Sequence, residues 1–202
     1  MYALTKRFMD IIVSILLIVL FFPFGVIIAT IIKLEDDGPV FFGQSRMGIS
    51  GKSIRIIKFR SMRTGSDNIE SSLSPSEREL YYKEYKLLRD PRTTKIGTFI
   101  RKSCLDEIPQ LINALSGDLS IVGPRPIVKD EASFYSSDQL QQLLSVKPGI
   151  TGYWQTFGRN TASYSDGTRQ QYELYYVKNK SIKLDIQIIV KTAIIILTEI
   201  FK

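Results

Sequence analysis

From Ile11 to Ile32 the chain runs IIVSILLIVLFFPFGVIIATII without a single charge. A helix rises about 1.5 Å per residue and a hydrocarbon core is about 30 Å thick, so this run predicts a membrane-embedded helix. Pro23 stands near its centre with Gly25 close by. Proline removes one helical hydrogen bond and clashes with the preceding turn, which predicts a sharp kink. Lys6 and Arg7 precede the run and Lys33 follows it. Basic residues at both ends fit a re-entrant hairpin with both ends on the cytoplasmic side, and these residues leave a kinked spanning helix equally open. The run is longer than the apolar core of a signal peptide and no small-x-small cleavage site follows, so the segment is expected to stay on the protein.

Apolar positions recur with helical spacing again near the C-terminus. In SIKLDIQIIVKTAIIILTEIFK, Ile182, Ile186, Ile189, Val190, Ala193, Ile194, Leu197 and Phe201 form one face, with Lys183, Asp185, Gln187, Lys191 and Glu199 elsewhere on the wheel. Ile188, Ile195 and Ile196 broaden that face. Either a core helix or an amphipathic helix at the lipid surface satisfies the pattern.

Between these segments the pattern changes period. VFFGQSRMG and SIRIIKFRSM alternate β-branched, aromatic and polar residues around a glycine-containing turn and predict a β-hairpin. Residues 64–74 are polar and read as a surface loop. SPSERELYYKEYKLL opens a helix with Ser74 as N-cap, Pro75 at the first position and Glu77 completing a capping box. No internal repeat, low-complexity tract or interdomain linker is visible. RMGISGKS ends like a phosphate-binding loop, but Arg46 stands where that motif needs glycine and a strand follows where it needs a helix.

Composition narrows the chemistry. The 202 residues hold no histidine, which excludes Ser-His-Asp and Cys-His machinery and histidine-based zinc sites. The lone Cys104 forms no intrachain disulfide and reads as a small packing residue. Any metal would rest on carboxylates, carbonyls and water, ligands suited to a hard ion such as Mg2+. The formal charge of +7 favours an acidic partner: phosphate, anionic lipid or nucleic acid.

The stretch RKSCLDEIPQLINALSGD places Asp106 beside Glu107 ahead of a helix. With Asp106 as N-cap, the helix starts at Glu107, Pro109 falls in its first turn, Ile108, Leu111, Ile112 and Leu115 form the buried stripe, and Gly117 stops it. The same carboxylates at a helix start could equally serve chemistry, because backbone N–H groups there favour ionised oxygens and attract phosphate. Two prolines stiffen the backbone around Arg125 in GDLSIVGPRP, and VKPGITGYWQTFGRN carries Arg159. Lys58, Arg60 and Arg101 complete a set of donors suited to a diphosphate.

RKSCLDEIPQLINALSGDLSIVGPRP, KFRSM and VKPGITGYWQTFGRN together resemble the bacterial monotopic phosphoglycosyl transferases, over nearly the whole chain. That family moves a sugar 1-phosphate from a nucleotide sugar to undecaprenyl phosphate. The resemblance implies an α+β fold, mainly helical with a small β-hairpin, a re-entrant membrane helix over 1–33 and a cytoplasmic catalytic domain over 34–202 lying on the inner membrane of a bacterium through interfacial amphipathic helices. Pro23 would mark the hairpin, although Phe22 replaces the serine that many members carry before this proline. Asp106 would attack a UDP-sugar, releasing UMP and leaving a sugar-phosphate on the carboxylate, and Glu107 would help hold Mg2+. Arg125, Arg159 and Arg101 would bind phosphate, and Lys58, Gln155 and Asn160 would line the nucleotide-sugar pocket. Trp154 resembles members that transfer galactose or glucose phosphate. Membrane lipid is an expected partner and nucleic acid is not, and association of the chain with itself is left open. The competing reading is a non-catalytic, membrane-anchored basic module for anionic lipid or nucleic acid.

Overall fold

The computed structural model describes residues 2–66, 68–85, 87, 89–159 and 161–200, so Asn160 and Phe201 lie outside the described residues. The chain runs through α1 (Tyr2–Glu35), β1 (Phe41–Met47), β2 (Ser53–Phe59), α2 (Ile69–Ser72), α3 (Pro75–Glu84), α4 (Lys95–Lys102), α5 (Gln110–Ser116), β3 (Ser120–Val122), α6 (Ser137–Leu143), β4 (Gly149–Thr151), α7 (Thr168–Asn179) and α8 (Ile182–Ile200). The fold is mainly helical with small sheets. β1 and β2 form the expected antiparallel hairpin, Phe41 opposite Phe59 and Met47 opposite Ser53. A second sheet, too short to read from the sequence, pairs β3 with β4 in parallel. At Gly149 a Cβ would lie 2.0 Å from the backbone nitrogen of Gly123, so only glycine lets these two segments meet.

α3 opens as its sequence predicts, with the Ser74–Glu77 capping box and Pro75 at its start. The polar stretch 64–74 is not all loop. Asn68 accepts from the N–H groups of Glu70 and Ser71 and starts the single turn of α2.

α1 is helical over 34 residues with Pro23 inside it. It touches the rest of the chain at both ends. Near its start, Arg7 donates to the carbonyls of Ala114 and Leu115 at 2.6 Å each, satisfying the last turn of α5. Near its finish, Glu35 accepts from Lys95 N (2.7 Å) and Ile96 N (3.1 Å), neutralising the first turn of α4. Val13, Leu17 and Ile18 pack on Leu111, Ile121 and Ile188, and Ile28 and Ile32 pack on Phe59 and Ile100. Between these contacts Val19, Leu20, Phe22, Phe24 and Ile27 are exposed.

A buried polar cluster ties the start of α1 to α8. Asp185, fully buried, accepts from Tyr176 Oη (2.7 Å) and Tyr2 Oη (3.1 Å) and pairs with Lys6 Nζ at 3.1 Å. Asp10 accepts from Ser120 Oγ (2.9 Å) and Ile121 N (3.0 Å). These bonds turn the polar side of α8 and Ile188 inward, so Ile186, Val190, Ile194 and Leu197 face out, each at least half exposed. Removing one member of a buried ion pair strands the other, at about 3–5 kcal/mol. Asp185→Ala should therefore sharply lower the thermal unfolding midpoint in lipid nanodiscs, and Lys6→Met combined with Asp185→Leu should recover most of the loss.

Candidate active site

The site begins at a sharp change of direction after α4. Cys104 takes φ 57° and ψ 15°, left-handed values, and Leu105–Glu107 forms a 3-10 turn. Glu107 N bonds the Cys104 carbonyl at 3.2 Å and Ile108 N bonds that of Leu105 at 3.3 Å. The tight turn thus uses N–H groups that a capped α-helix would leave free, which corrects the expectation that Asp106 caps a helix starting at Glu107. α5 starts at Gln110 instead, with Pro109 before it and no side-chain cap. Leu111 and Ala114 are buried, whereas Ile112, expected in the buried stripe, is 54% exposed. Gly117, at φ 90°, ends the helix as expected.

This turn leaves Asp106 only 8% exposed. Lys58, the penultimate residue of β2, reaches both carboxylates, its Nζ 2.7 Å from Glu107 Oε1 and 3.9 Å from Asp106 Oδ2. Burial pushes the Asp106 carboxyl up to about 6, with Lys58 opposing the rise and Glu107 adding to it. Burial acts the same way on Glu107, but the charge and hydrogen bond of Lys58, joined by Arg125, outweigh it and pull that carboxyl down. Two adjacent acids are thereby separated. Glu107 is held ionised, and Asp106 titrates close to neutrality.

The Gly123–Pro126 segment carries Arg125 from the end of β3 into the same cleft, which Lys58, Glu107, Gln110 and Gln155 also line. Arg125 Nε is sealed from solvent and has no hydrogen-bond partner. Its loop is braced from behind. Glu173 accepts from Arg125 N (3.1 Å), Glu131 from Val128 N (2.8 Å), and Arg46 Nη1 bonds both the Pro126 carbonyl (3.2 Å) and Glu131 (3.0 Å). Burial lifts the Glu173 carboxyl to about 7 against the pull of Arg169 and Arg125. Arg169 is stacked between Trp154 and Tyr164, 3.9 Å from each ring centre.

The other expected donors divide. Arg159 follows the π-helical turn Trp154–Gly158 and bonds Cys104, drawing down a thiol that burial raises to about 11. It therefore stands beside the acidic turn. Arg101 sits 3.9 Å from Asp90 Oδ2 and its charge also reaches Asp106. Arg60 does not join them. It is 6% exposed and tied to Asp36 through the carbonyl (2.6 Å) and carboxylate (3.2 Å), so it is an architectural residue. Gln44, Arg46 and Gln110 also line the cleft and were missed from the sequence. Strand alternation was the available signal for the first two, since the register puts Gln44 and Arg46 on the same face as Lys58.

Among the described residues no three Asp, Glu or Cys side chains gather to hold a metal. Two adjacent carboxylates nevertheless fit Mg2+ of the kind that takes one or two protein oxygens and completes its shell with substrate phosphate and water.

These features define a class: a chain with a long apolar helix docked on a body that sets an adjacent carboxylate pair against a lysine lining a cleft with arginine. The model of the bacterial sugar transferase family matches residues 1–199, and the chain belongs to this family. It is 43% identical over 195 residues to an undecaprenyl-phosphate galactose phosphotransferase of Salmonella typhimurium, covering 95% of this chain and 40% of that protein. It is 39% identical over 192 residues to the exopolysaccharide production protein ExoY of Rhizobium meliloti, covering 94% and 84%. A UDP-glucose:undecaprenyl-phosphate glucose-1-phosphate transferase of Xanthomonas campestris pv. campestris is 36% identical over 201 residues, with 97% and 39% covered. The chain thus spans about two fifths of the Salmonella and Xanthomonas relatives.

The raised Asp106 carboxyl has a consequence for stability. The folded chain holds this proton more tightly than the unfolded chain, so the contribution is complete below about pH 4 and lost as pH rises through about 6. Asp106→Asn should raise the thermal midpoint at pH 7.5, by on the order of 1–2 kcal/mol of stability, with the gain shrinking towards pH 5. Thermal scans of both proteins across that range check the sign.

Proposed function

We propose that this chain transfers a sugar 1-phosphate from a UDP-sugar to undecaprenyl phosphate in two steps, with the sugar-phosphate carried on Asp106 in between. The observation that carries this reading is the buried carboxylate of Asp106, 3.9 Å from a Lys58 that lines one cleft with Glu107 and Arg125. A simple lipid-binding module has no use for an acid kept out of water among its cations. The names of the Salmonella and Xanthomonas relatives support the substrate pair.

In the first step an ionised Asp106 oxygen forms a bond to the β-phosphorus, and the bond from that phosphorus to the bridging oxygen breaks, so UMP departs with the electron pair. In the second, the undecaprenyl phosphate oxygen bonds the same phosphorus and the Asp106–phosphorus bond breaks, restoring the carboxylate. Splitting one displacement between two poor nucleophiles into two steps is the gain from a covalent intermediate. Arg125, Arg159 and Arg101 neutralise the phosphates, and Lys58 steadies the developing charge. Glu107, with Asp106 next to it, would hold Mg2+, whose chemistry when bound is charge neutralisation on the diphosphate and on UMP.

Both ends of α1 rest on one body, which supports a re-entrant helix, since a spanning helix would carry its ends to opposite sides of the membrane. The exposed apolar middle of α1 and the outward stripe of α8 support seating this body on the cytoplasmic face of the bacterial inner membrane, where the lipid phosphate lies.

Incubating the purified chain in nanodiscs with Mg2+ and a UDP-sugar labelled in its β-phosphate should leave label on Asp106 when the acceptor is withheld. Asp106→Asn should abolish labelling and lower UMP release by on the order of 10³-fold or more. Full activity in that variant refutes the two-step account.

Topology has its own test. Cysteines placed singly at the exposed Leu4 and Leu34 should both resist a membrane-impermeant maleimide in intact cells. A spanning helix instead exposes one of them to the outside.

A further inference from the structure

A row of aromatic rings connects α8 to the neighbourhood of the acidic turn. Phe157, in the π-helical turn after β4, stacks on Tyr153 at 4.5 Å, and Tyr153 stacks in turn on Tyr175 of α7 at 4.4 Å. Phe157 and Tyr175 are exposed. Lys191 of α8 lies with its Nζ 3.7 Å from the centre of the Phe157 ring. Its helix is pinned at this point, since the next residue, Thr192, shares a hydrogen bond of 2.8 Å with Thr151 of β4. Successive helical residues are about 100° apart, so Lys191 falls at the rim between the inward Thr192 and the outward Val190 and Ile194. At the other end of the row, Phe157 is followed by the buried Gly158 and then by Arg159, whose guanidinium donates to the Cys104 sulfur in the turn that carries Asp106.

What this row can hold follows from what its rings already touch. A stacked ring and an ammonium cannot share one face of Phe157, so both of its faces are covered, and Tyr153 lies between two rings. These rings turn edges outward, not the open face on which a flat base stacks. Ring edges and a lysine stem suit a branched hydrocarbon instead. Neither cation is spent on a carboxylate: Lys191 rests on a ring and Arg159 on a thiol, and among the described residues no ion pair engages either. The surface thus starts at an exposed apolar helix face and ends at a guanidinium beside the acidic turn. Hydrocarbon at one end and phosphate at the other is the chemistry of a polyprenyl phosphate. We infer that the acceptor enters between α8 and the Trp154–Gly158 turn, its first isoprene units against Phe157 and Lys191 and its phosphate at Arg159. The inference rests on the transfer reading above and adds the path by which the second substrate reaches Asp106.

The two half-reactions test it separately. In a two-step scheme kcat/KM for the UDP-sugar reports only the loading of Asp106, and kcat/KM for undecaprenyl phosphate only its discharge. With the full chain in nanodiscs, Lys191→Gln and Phe157→Ser should each lower kcat/KM for undecaprenyl phosphate by on the order of 10-fold, since each removes one charged or apolar contact, and should leave the loading step unchanged. Lys191→Arg and Phe157→Leu, which keep the charge and the apolar bulk, should stay close to the parent. A benzophenone amino acid in place of Phe157 should capture labelled undecaprenyl phosphate, with capture suppressed by unlabelled acceptor and not by phosphatidylglycerol. Suppression by both lipids means that the row meets anionic bilayer lipid in general, and overturns the inference. Equal losses in loading and discharge assign these residues to the donor site or to the fold and overturn it as well. If no UDP-sugar loads Asp106, the transfer reading fails and takes this inference with it; normal loading with unaltered discharge in both variants removes the inference alone.

Discussion

Lys58 sits between two adjacent carboxylates, one buried and one half-buried, that would otherwise repel each other. Like charges about 4 Å apart repel by about 4 kcal/mol at the effective dielectric of a protein edge, and more with less water. The lysine accordingly bonds Glu107 at 2.7 Å and stands 3.9 Å from Asp106. Much of the architecture serves to bring this cation there. The β1–β2 ladder fixes the alternation that points Lys58 at the turn, and Asn113 of α5 locks the hairpin in place by accepting from Ile57 N (3.0 Å) and donating to the Arg55 carbonyl (2.9 Å). Just beyond the strand, Arg60 holds Asp36, so the same hairpin is tied to the end of α1.

That connection gives α1 a second role besides the membrane contact proposed for it. Its two ends contact the helices on either side of the acidic turn, Arg7 at the last carbonyls of α5 and Glu35 at the first N–H groups of α4. Each contact sets a charge of the favourable sign against a helix end, satisfying groups that have no partner within the helix. The backbone that presents Asp106 is therefore referenced to α1 at two points. Where α1 sits in a bilayer fixes how far the turn stands from it. The proposed reaction, which must meet a lipid-linked phosphate at the headgroup layer, would gain from such a linkage, because the depth of the site would be set by geometry instead of by diffusion.

Local pattern carried much of this into the sequence. Period-two alternation marked the hairpin, the Ser74–Glu77 box marked α3, and a charge-free run marked α1. The helix period of α8 was legible too, but which face turns inward was not: Asp185 is fully buried because Lys6, Tyr2 and Tyr176, distant in sequence, supply its partners. Capping logic misread the acidic turn for a related reason. The left-handed backbone at Cys104 turns the chain sharply after α4, and no residue preference at a cysteine announces it. Of the site, the acids and Arg125 stood out as local clusters. Gln110, Glu131 and Glu173 did not, since a lone buried polar residue leaves no periodic trace and becomes informative only once its neighbours are known.

The balance of charge in the cleft also constrains the order of events in the proposed reaction. Arg125 is flanked by Glu131, Glu107 and Glu173, which raise its pKa against the effect of burial, so in the free protein its charge is already compensated. An arriving diphosphate has to compete for it. Glu173 gives way at the backbone N–H only if the loop moves, whereas Glu107 faces the cleft and is held by the side chains of Lys58 and Gln110. The mobile partner is thus the Lys58–Glu107 pair. If Lys58 turned to a phosphate oxygen, Glu107 would be released from it and could help hold Mg2+, whose chemistry when bound would be charge neutralisation on the diphosphate. In the proposed reaction, substrate binding and the release of Glu107 would then be one event, because a single lysine cannot serve both anions at full strength.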